Sequence, residues 1–360
     1  MTAPRQVRRL TPLFVLLALS ACLTPATAAA RQKHAAADAN PARRLIHVAV
    51  TDERGEFVAA LKPEDFTVLV NNRPARVVSA SDSDVAASVD ILLDTSGSME
   101  GGRRRGLGAA ARLREGVLRF LHDSHATTDF SLIAFNRSPQ LLLERAVDSK
   151  VILAALDRYA AAEARGATVL YDALYLSLNR AAAGRHAKRA LLLVTDGHDT
   201  ASRYTRRDVE RALAGSDVLV YAVLVQSPGG ALTEDARLLL KRLSDISGGS
   251  LFYAVDENSL AAAMRQAAAA LRSHYALTVE LPSAAGSREW HRLKVSVKER
   301  RDEAGRRRRL KVRAREGFYA GPAEAARPGG DQGRGRRSRA APQRASSGSR
   351  PQRAPAANLP

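Results

Sequence analysis

Residues 89–98 read VDILLDTSGS, and they are the strongest indication of the fold class of the chain. The largely apolar run at residues 89–93 has the length and composition of a buried parallel strand, and the polar residues after it are typical of a loop. Such a loop lies at the carboxyl edge of a sheet, where open α/β folds place their ligands. Asp94, Ser96 and Ser98 put one carboxylate and two hydroxyls at alternate positions of this loop. Oxygen donors of this kind suit a hard cation such as Mg²⁺, although an ordinary helix-entry turn has a similar composition.

Two later segments supply further oxygen donors at comparable places. Residues 166–172, GATVLYD, precede a helical pattern and contain Thr168. Residues 191–197, LLLVTDG, read as a second buried strand that ends in Asp196. The sequence therefore places one more hydroxyl and one more carboxylate at the ends of predicted elements.

With these three segments, the chain resembles a von Willebrand factor A (VWA) domain that carries a metal-ion-dependent adhesion site. The resemblance implies that five side chains surround one divalent cation, Mg²⁺ or in its place Mn²⁺ or Ca²⁺. These are Asp94, Ser96, Ser98, Thr168 and Asp196. It also implies that a partner protein offers an Asp or Glu side chain to the cation.

The central region, residues 85–273, alternates strand and helix patterns. Strands are predicted at residues 89–93, 130–135, 190–195, 218–225 and 251–255, with a short edge strand at 141–144. Between them, apolar residues recur at helical spacing, as at Leu113, Val117 and Leu121. This alternation predicts a doubly wound, mostly parallel sheet covered by helices on both faces, which is the architecture that the resemblance implies.

Two β-rich segments flank the central region, at residues 44–84 and 274–320. In the first, Ile46, Val48 and Val50 are expected to share one buried face. The first segment is too short for a core of its own, so we expect the two to pair, for example as a small β-sandwich. With these flanks, residues 44–320 resemble a family of exported bacterial VWA-related proteins.

The amino terminus reads as an export signal. A basic start is followed by an apolar stretch at residues 13–21, which is too short to span a membrane as a helix. Residues 19–22, LSAC, resemble a bacterial lipobox, in which Cys22 would be acylated and become the mature amino terminus. Ordinary cleavage after Ala28 or Ala30 is the alternative. We favour the lipoprotein, because Cys22 is the single cysteine of the chain. Residues 1–22 then form the signal peptide and residues 23–43 a tether.

The chain is strongly basic, with a formal net charge of +19. Residues 321–360 are rich in Arg, Gly, Pro and Ser and contain almost no large apolar residue, so we expect them to be disordered. This tail is expected to make salt-sensitive contacts with an anionic envelope surface. We expect no specific nucleic-acid partner, because recognition motifs and interleaved stacking aromatics are absent from the sequence.

Enzymatic motifs are also absent from the sequence, including H-E-x-x-H, the phosphate-binding loop and G-x-S-x-G. His122 and His125 are expected to be surface residues, and His198 and Asp199 to be solvated loop residues beside Asp196. The sequence therefore favours a non-enzymatic, metal-dependent binding protein anchored at the cell envelope as a lipoprotein. The alternatives are a scaffold subunit with a structural metal and, with less support, a metal-using hydrolase.

Overall fold

The computed structural model describes residues 43–100, 109–160, 167–181, 183–226, 232–256, 259–281, 289–301 and 307–319. These residues belong to one compact unit that spans Met1–Ala325, and a second unit, Ala326–Pro360, lies outside the described residues. The predicted signal peptide with Cys22, nearly all of the predicted tether and the predicted tail also lie outside them.

The first segment forms β1 (Arg43–Thr51), a 3₁₀ turn (Pro63–Asp65), β2 (Phe66–Val70) and β3 (Arg73–Ser81). The strands of the central segment are β4 (Ala87–Asp94), β5 (Asp129–Phe135), β6 (Pro139–Ala146), β7 (Lys188–Thr195), β8 (Val218–Val225) and β9 (Ser250–Ala254). Its helices are α1 (Gly97–Glu100), α2 (Ala109–Asp123), α3 (Ser149–Ala160), α4 (Leu170–Ala181), α5 (Arg206–Gly215), α6 (Glu234–Ser247) and α7 (Ser259–Arg272). The last segment forms β10 (Tyr275–Glu280), β11 (Trp290–Val297), β12 (Arg300–Arg301), β13 (Arg307–Arg308), β14 (Lys311–Ala314) and β15 (Gly317–Tyr319).

The central strands form one sheet in the order β6-β5-β4-β7-β8-β9, and all are parallel except the edge strand β6. This confirms the predicted doubly wound, mostly parallel sheet. From β4 the chain first builds outward on one side through β5 and β6, and then on the other side through β7, β8 and β9. The strand order thus reverses between β4 and β7, and the crevice at the carboxyl ends of these strands is where such folds bind ligands.

Helices cover both faces of this sheet, which explains the near-continuous apolar runs of its strands. All eight residues of β4 are buried. Val89, Ile91 and Leu93 pack in one core cluster with residues of α2, α3 and α7. A strand buried on both faces has no solvent side, so its buried carboxylates, Asp90 and Asp94, need partners inside the protein.

The two flanking segments pair into a single antiparallel sheet in the order β14-β1-β10-β3-β2-β11-β15. Residues more than 200 positions apart are neighbours in it, for example Val48 and Tyr275. The strands at the two ends of this order, β14 and β15, are separated in sequence by only two residues, so the sheet curls. The expected pairing of the flanks therefore takes the form of one curled sheet. Ile46, Val48 and Val50 lie in its core, as the alternation predicted.

The curled sheet joins the central domain through Arg315, whose side chain is 10% exposed. Its guanidinium donates hydrogen bonds to the carbonyl oxygens of Ala214 in the last turn of α5 (3.1 Å) and of Ser216 just after it (2.7 Å), and it forms an ion pair with Asp217. Gly248 follows the last residue of α6 with φ +84° and packs against the same segment. A Cβ at Gly248 would lie 2.6 Å from the backbone nitrogen of Arg315. The junction thus depends on a buried arginine and on a glycine that has no room for a side chain.

Two histidines lie at this junction with their rings 6.5 Å apart, His47 on β1 and His274 before β10. Burial, reinforced by the charge of Lys188, lowers the pKa of His47 to about 4 and that of His274 to about 3. Lys188 is the first residue of β7, so the junction lies at the amino ends of the parallel strands. The carboxyl edge, with the predicted site, is at the opposite end of the central domain.

Candidate functional site

The β4 loop brings together the three donors that were predicted for it. The side chains of Asp94 and Ser96 are fully buried, whereas Ser98, on the short helix α1, is exposed. The backbone N–H of Ser96 donates to Asp94 Oδ1 at 2.9 Å, and the two serine hydroxyl oxygens are 3.1 Å apart. A carboxylate and two hydroxyls therefore sit in one turn at the end of β4.

Asp196, the predicted donor from the end of β7, is close to Asp94. Strands β4 and β7 are neighbours, and the negative charge of Asp196 contributes to the raised pKa of Asp94. Asp196 is 4% exposed, and its Oδ1 accepts a hydrogen bond from the backbone of His198 at 3.2 Å. The His198 ring nitrogen Nδ1 lies 3.1 Å from the same oxygen. His198 was expected to be a solvated loop residue; its side chain is half-exposed, but it contacts a site carboxylate.

Thr168, the donor predicted from the second loop, is buried and tied to the loop after β7. Its backbone N–H donates to Thr200 Oγ1 at 2.8 Å, and its carbonyl accepts from the backbone of Thr200 at 2.9 Å. The next residue, Val169, donates from its backbone to the carbonyl of Asn136 after β5. The segment that contains Thr168 is thus hydrogen-bonded both to the loop after β5 and to the loop after β7.

Residues 89–198 match the family model of the von Willebrand factor type A domain. The chain contains a VWA domain. The match begins in β4 and ends just after Asp196, so it includes all five predicted donors. VWA domains are modules typically used for protein interaction, and many of them bind a divalent metal at such a site.

Solved structures with similar folds include the conserved hypothetical protein BatB from Bacteroides thetaiotaomicron. It is 15% identical in sequence, with a TM-score of 0.42, and the match covers 52% of this chain and 98% of that one. A von Willebrand factor type A protein from Catenulispora acidiphila is 14% identical, with a TM-score of 0.44, and the match covers 78% of this chain and 75% of that one. No curated protein matches the chain. The assignment of the VWA domain therefore rests on the family model.

We call the five predicted donors the VWA site, and the electrostatics of this site fit a bound cation. Burial raises the pKa of Asp94 to about 6, and the charge of Asp196 adds to this effect, while hydrogen bonds from Ser96 and Thr195 oppose it. Within the described residues, Asp94 has no ion-pair partner. A buried carboxylate beside a second carboxylate, without a basic side chain against it, is stabilised by a bound cation. The donors present thus fit a hard divalent ion such as Mg²⁺.

The VWA site can hold such an ion only if hydroxyl groups also act as ligands. The described residues contain no group of three or more His, Cys, Asp or Glu side chains that could hold a metal by themselves. Two carboxylates would leave most of the coordination to hydroxyls, to water or to an incoming ligand. With two carboxylates and a divalent ion the site has no net charge, and its neutral hydroxyl and water ligands leave the ion a strong Lewis acid, which favours an anionic ligand.

Several supporting residues of the VWA site were missed by sequence reasoning. Thr195 Oγ1 donates to Asp94 Oδ2 at 2.6 Å, so both Asp94 oxygens are oriented by hydrogen bonds. Tyr159 on α3 places its hydroxyl 2.9 Å from Thr95 Oγ1 and accepts from Asn136 Nδ2 at 3.2 Å. The LLLVTDG run contains Thr195, but nothing in its spacing indicates that its hydroxyl reaches a neighbouring strand.

Proposed function

We propose that the chain is a non-enzymatic binding protein that uses Asp94, Ser96, Ser98, Thr168 and Asp196 to hold a divalent cation. Through the cation it would bind an Asp or Glu side chain of a partner protein. One observation carries this proposal: in a VWA domain, at the point where the strand order reverses, Asp94 is fully buried beside Asp196 with no cationic side chain paired to it in the described residues.

The roles of the chain's own residues follow from their contacts. Ser96 and Thr195 fix the orientation of the Asp94 carboxylate through one hydrogen bond to each oxygen. The backbone contacts between Thr168 and Thr200 hold the second and third loops in register. When bound, the cation supplies the positive charge that an acidic partner residue needs. A site prepared in this way binds without a large rearrangement of its first ligands.

Asp94→Asn should abolish the Mg²⁺-dependent stabilisation of the protein without unfolding it. Asparagine keeps the size of the side chain and can still accept from the Ser96 backbone, but it removes the charge that attracts the cation. For the wild type, Mg²⁺ at a hundred times its dissociation constant should add about 2.7 kcal/mol to the free energy of unfolding. Urea unfolding with Mg²⁺ and with chelator measures this difference, and titration calorimetry measures the affinity directly.

A charge-matched control is Asp157→Asn, which removes a carboxylate that pairs with Arg114 on the surface of the same domain. This variant should respond to Mg²⁺ like the wild type.

Partner capture from envelope extract should likewise need Mg²⁺ and be lost in Thr168→Ala and Asp196→Ala. An unchanged Mg²⁺ affinity in Asp94→Asn would contradict the proposed site. Partner capture that survives chelator would point instead to a scaffold in which any metal is structural.

We further propose that the protein is exported and held at the cell envelope by acylation of Cys22, which lies outside the described residues. The lipobox-like sequence at residues 19–22 after a short apolar stretch supports this. None of the helices in the described part of the chain is long and apolar enough to cross a membrane.

Cys22→Ser should move the protein from the membrane fraction to the soluble fraction, because no acyl chain can be attached to serine by the same thioether chemistry. Metabolic labelling with a fatty-acid analogue, followed by fractionation, measures both the modification and its consequence. Wild-type protein that stays unlabelled, with a mature amino terminus after Ala28 or Ala30, would establish ordinary signal-peptide cleavage instead.

A further inference from the structure

A groove lies where the outer face of β11 meets helices α5 and α6, at the junction of the curled sheet with the central domain. Its volume is about 670 Å³. Its lining includes the acidic residues Glu210 and Glu316. It also includes three alternate residues of β11, Trp290, Arg292 and Lys294, together with Tyr319 on β15 and Arg242 on α6. We call these five residues the basic groove. Nothing in the proposed function uses them.

The charges of the basic groove are not balanced. Arg242 is neutralised, since its Nη1 lies 2.5 Å from Glu316 Oε1 and its Nε lies 3.8 Å from Glu210 Oε2. Arg292 and Lys294, in contrast, are exposed and form no ion pair with any described residue. Two neighbouring cations on one face of a strand therefore remain available to an anionic ligand.

One end of the basic groove is aromatic. The rings of Trp290 and Tyr319 meet edge to face, with their centroids 5.2 Å apart. Trp290 also lies directly against Gly317 on the neighbouring strand, because a Cβ at Gly317 would come within 2.5 Å of the indole ring. Because Gly317 has no side chain, the indole packs directly against it, and Trp290 is half-buried. An aromatic pair of this kind offers a site for one apolar side chain.

We propose that the basic groove binds an extended acidic peptide segment of a partner protein. The segment would carry one apolar side chain for Trp290 and Tyr319, followed at alternate positions by two acidic residues for Arg292 and Lys294. Alternate residues of a strand are about 6.7 Å apart on one face, and the side chains of an extended peptide repeat at the same distance. Such a segment therefore matches Trp290, Arg292 and Lys294 of β11 in the spacing of the side chains, in charge and in having an apolar residue at one end.

The basic groove is separate from the site around Asp94. β11 already pairs with β15 at Trp290–Arg292 and with β2 at Leu293–Val297, and its groove residues project from its face, so the peptide would lie over that face and not extend the sheet. The groove belongs to the junction at the amino ends of the parallel strands, whereas Asp94 lies at their carboxyl edge. The chain would thus bind two partners, or two parts of one partner, at opposite ends.

Trp290 is the single tryptophan of the chain, so its fluorescence reports on the basic groove alone. Titration of the full chain with a peptide of sequence Leu-Ser-Glu-Ser-Glu, in the presence of chelator, should change this emission in a saturable way. Arg292→Glu combined with Lys294→Glu should weaken the binding by at least about tenfold. Peptide bound to the arginine-rich tail would leave the Trp290 signal unchanged, which separates the two basic regions.

The matched control is Arg54→Glu combined with Lys62→Glu, which makes the same change in net charge at two exposed positions of the first β segment. Its affinity should stay within about twofold of the wild type. The proposal would be overturned by equal losses in both double variants, by a response that requires Mg²⁺, or by the absence of a fluorescence change. Binding of an acidic oligosaccharide of equal charge, with no binding of the peptide, would overturn it in favour of a glycan site.

Discussion

Arg145→Met should lower the free energy of unfolding by about 3–5 kcal/mol, because it leaves two buried carboxylates without their common partner. The Arg145 guanidinium lies 3.2 Å from an oxygen of Asp90 on β4 and 3.2 Å from an oxygen of Asp129 on β5. Those two side chains are only 1% and 2% exposed. Methionine occupies a similar volume and carries the same Cβ at this position, where φ is +48°, so backbone strain is equal in both proteins.

The loss of stability in Arg145→Met should depend on pH with a definite sign. Burial raises the pKa of Asp90 even though Arg145 opposes the shift, and removal of Arg145 should raise it further. When the pKa is higher in the folded state, the native protein takes up a proton before the unfolded chain does as the pH falls. The deficit relative to the wild type should therefore be largest near pH 8 and should shrink towards pH 5.

Urea unfolding of both proteins at pH 8 and pH 5 measures this difference. The matched control is Arg114→Met, which breaks a surface pair with Asp157 whose side chains are 43% and 50% exposed. Its cost should be no more than about 1 kcal/mol. A loss of similar size in the two variants, or an Arg145→Met deficit that does not change with pH, would show that the buried charges are not what this arginine stabilises.

Arg315→Met should cost about 2–4 kcal/mol, because it leaves the carbonyl oxygens of Ala214 and Ser216 without their donor at the junction. The ion pair with Asp217 contributes less, since that carboxylate is half-exposed. The variant should lose stability locally, near the junction, as well as in the free energy of global unfolding. Amide hydrogen exchange in β14 and β15 should accelerate, because Arg315 connects these strands to the loop after α5.

Arg43→Met provides the comparison for the junction. Arg43 also joins distant segments, through Glu280, but its side chain is 50% exposed and it lies on the surface of the curled sheet. Its removal should cost less than about 1 kcal/mol. If Arg315→Met costs no more than this and exchange in β14 and β15 is unchanged, the buried arginine does not hold the two sheets together.

Much of the local structure could be predicted because burial leaves a periodic trace in sequence. The strand at residues 218–225 was predicted with the boundaries that it has, since both of its faces are covered and its apolar run is unbroken. In β1, a period of two placed Ile46, Val48 and Val50 on the buried face. The donors of the candidate site were predictable for a similar reason, because polar residues directly after such runs, as at Asp94 and Asp196, must lie at the edge of the sheet.

Hydrophobic periodicity and motif spacing were enough to predict the strands of the central sheet, the α/β class and the positions of the donors, whose role as metal ligands is still a prediction. Three contacts are visible only in the folded protein: β1 and β10 pair across more than 200 residues, Thr195 orients Asp94, and Arg145 neutralises Asp90. The basic groove likewise exists only because folding brings β11 next to α5 and α6. Hydrophobic periodicity shows which side of an element is buried, but it does not show which other element packs against that side. Hydrogen bonds and ion pairs act over about 3–4 Å, so they depend on register and packing that distant parts of the chain determine together.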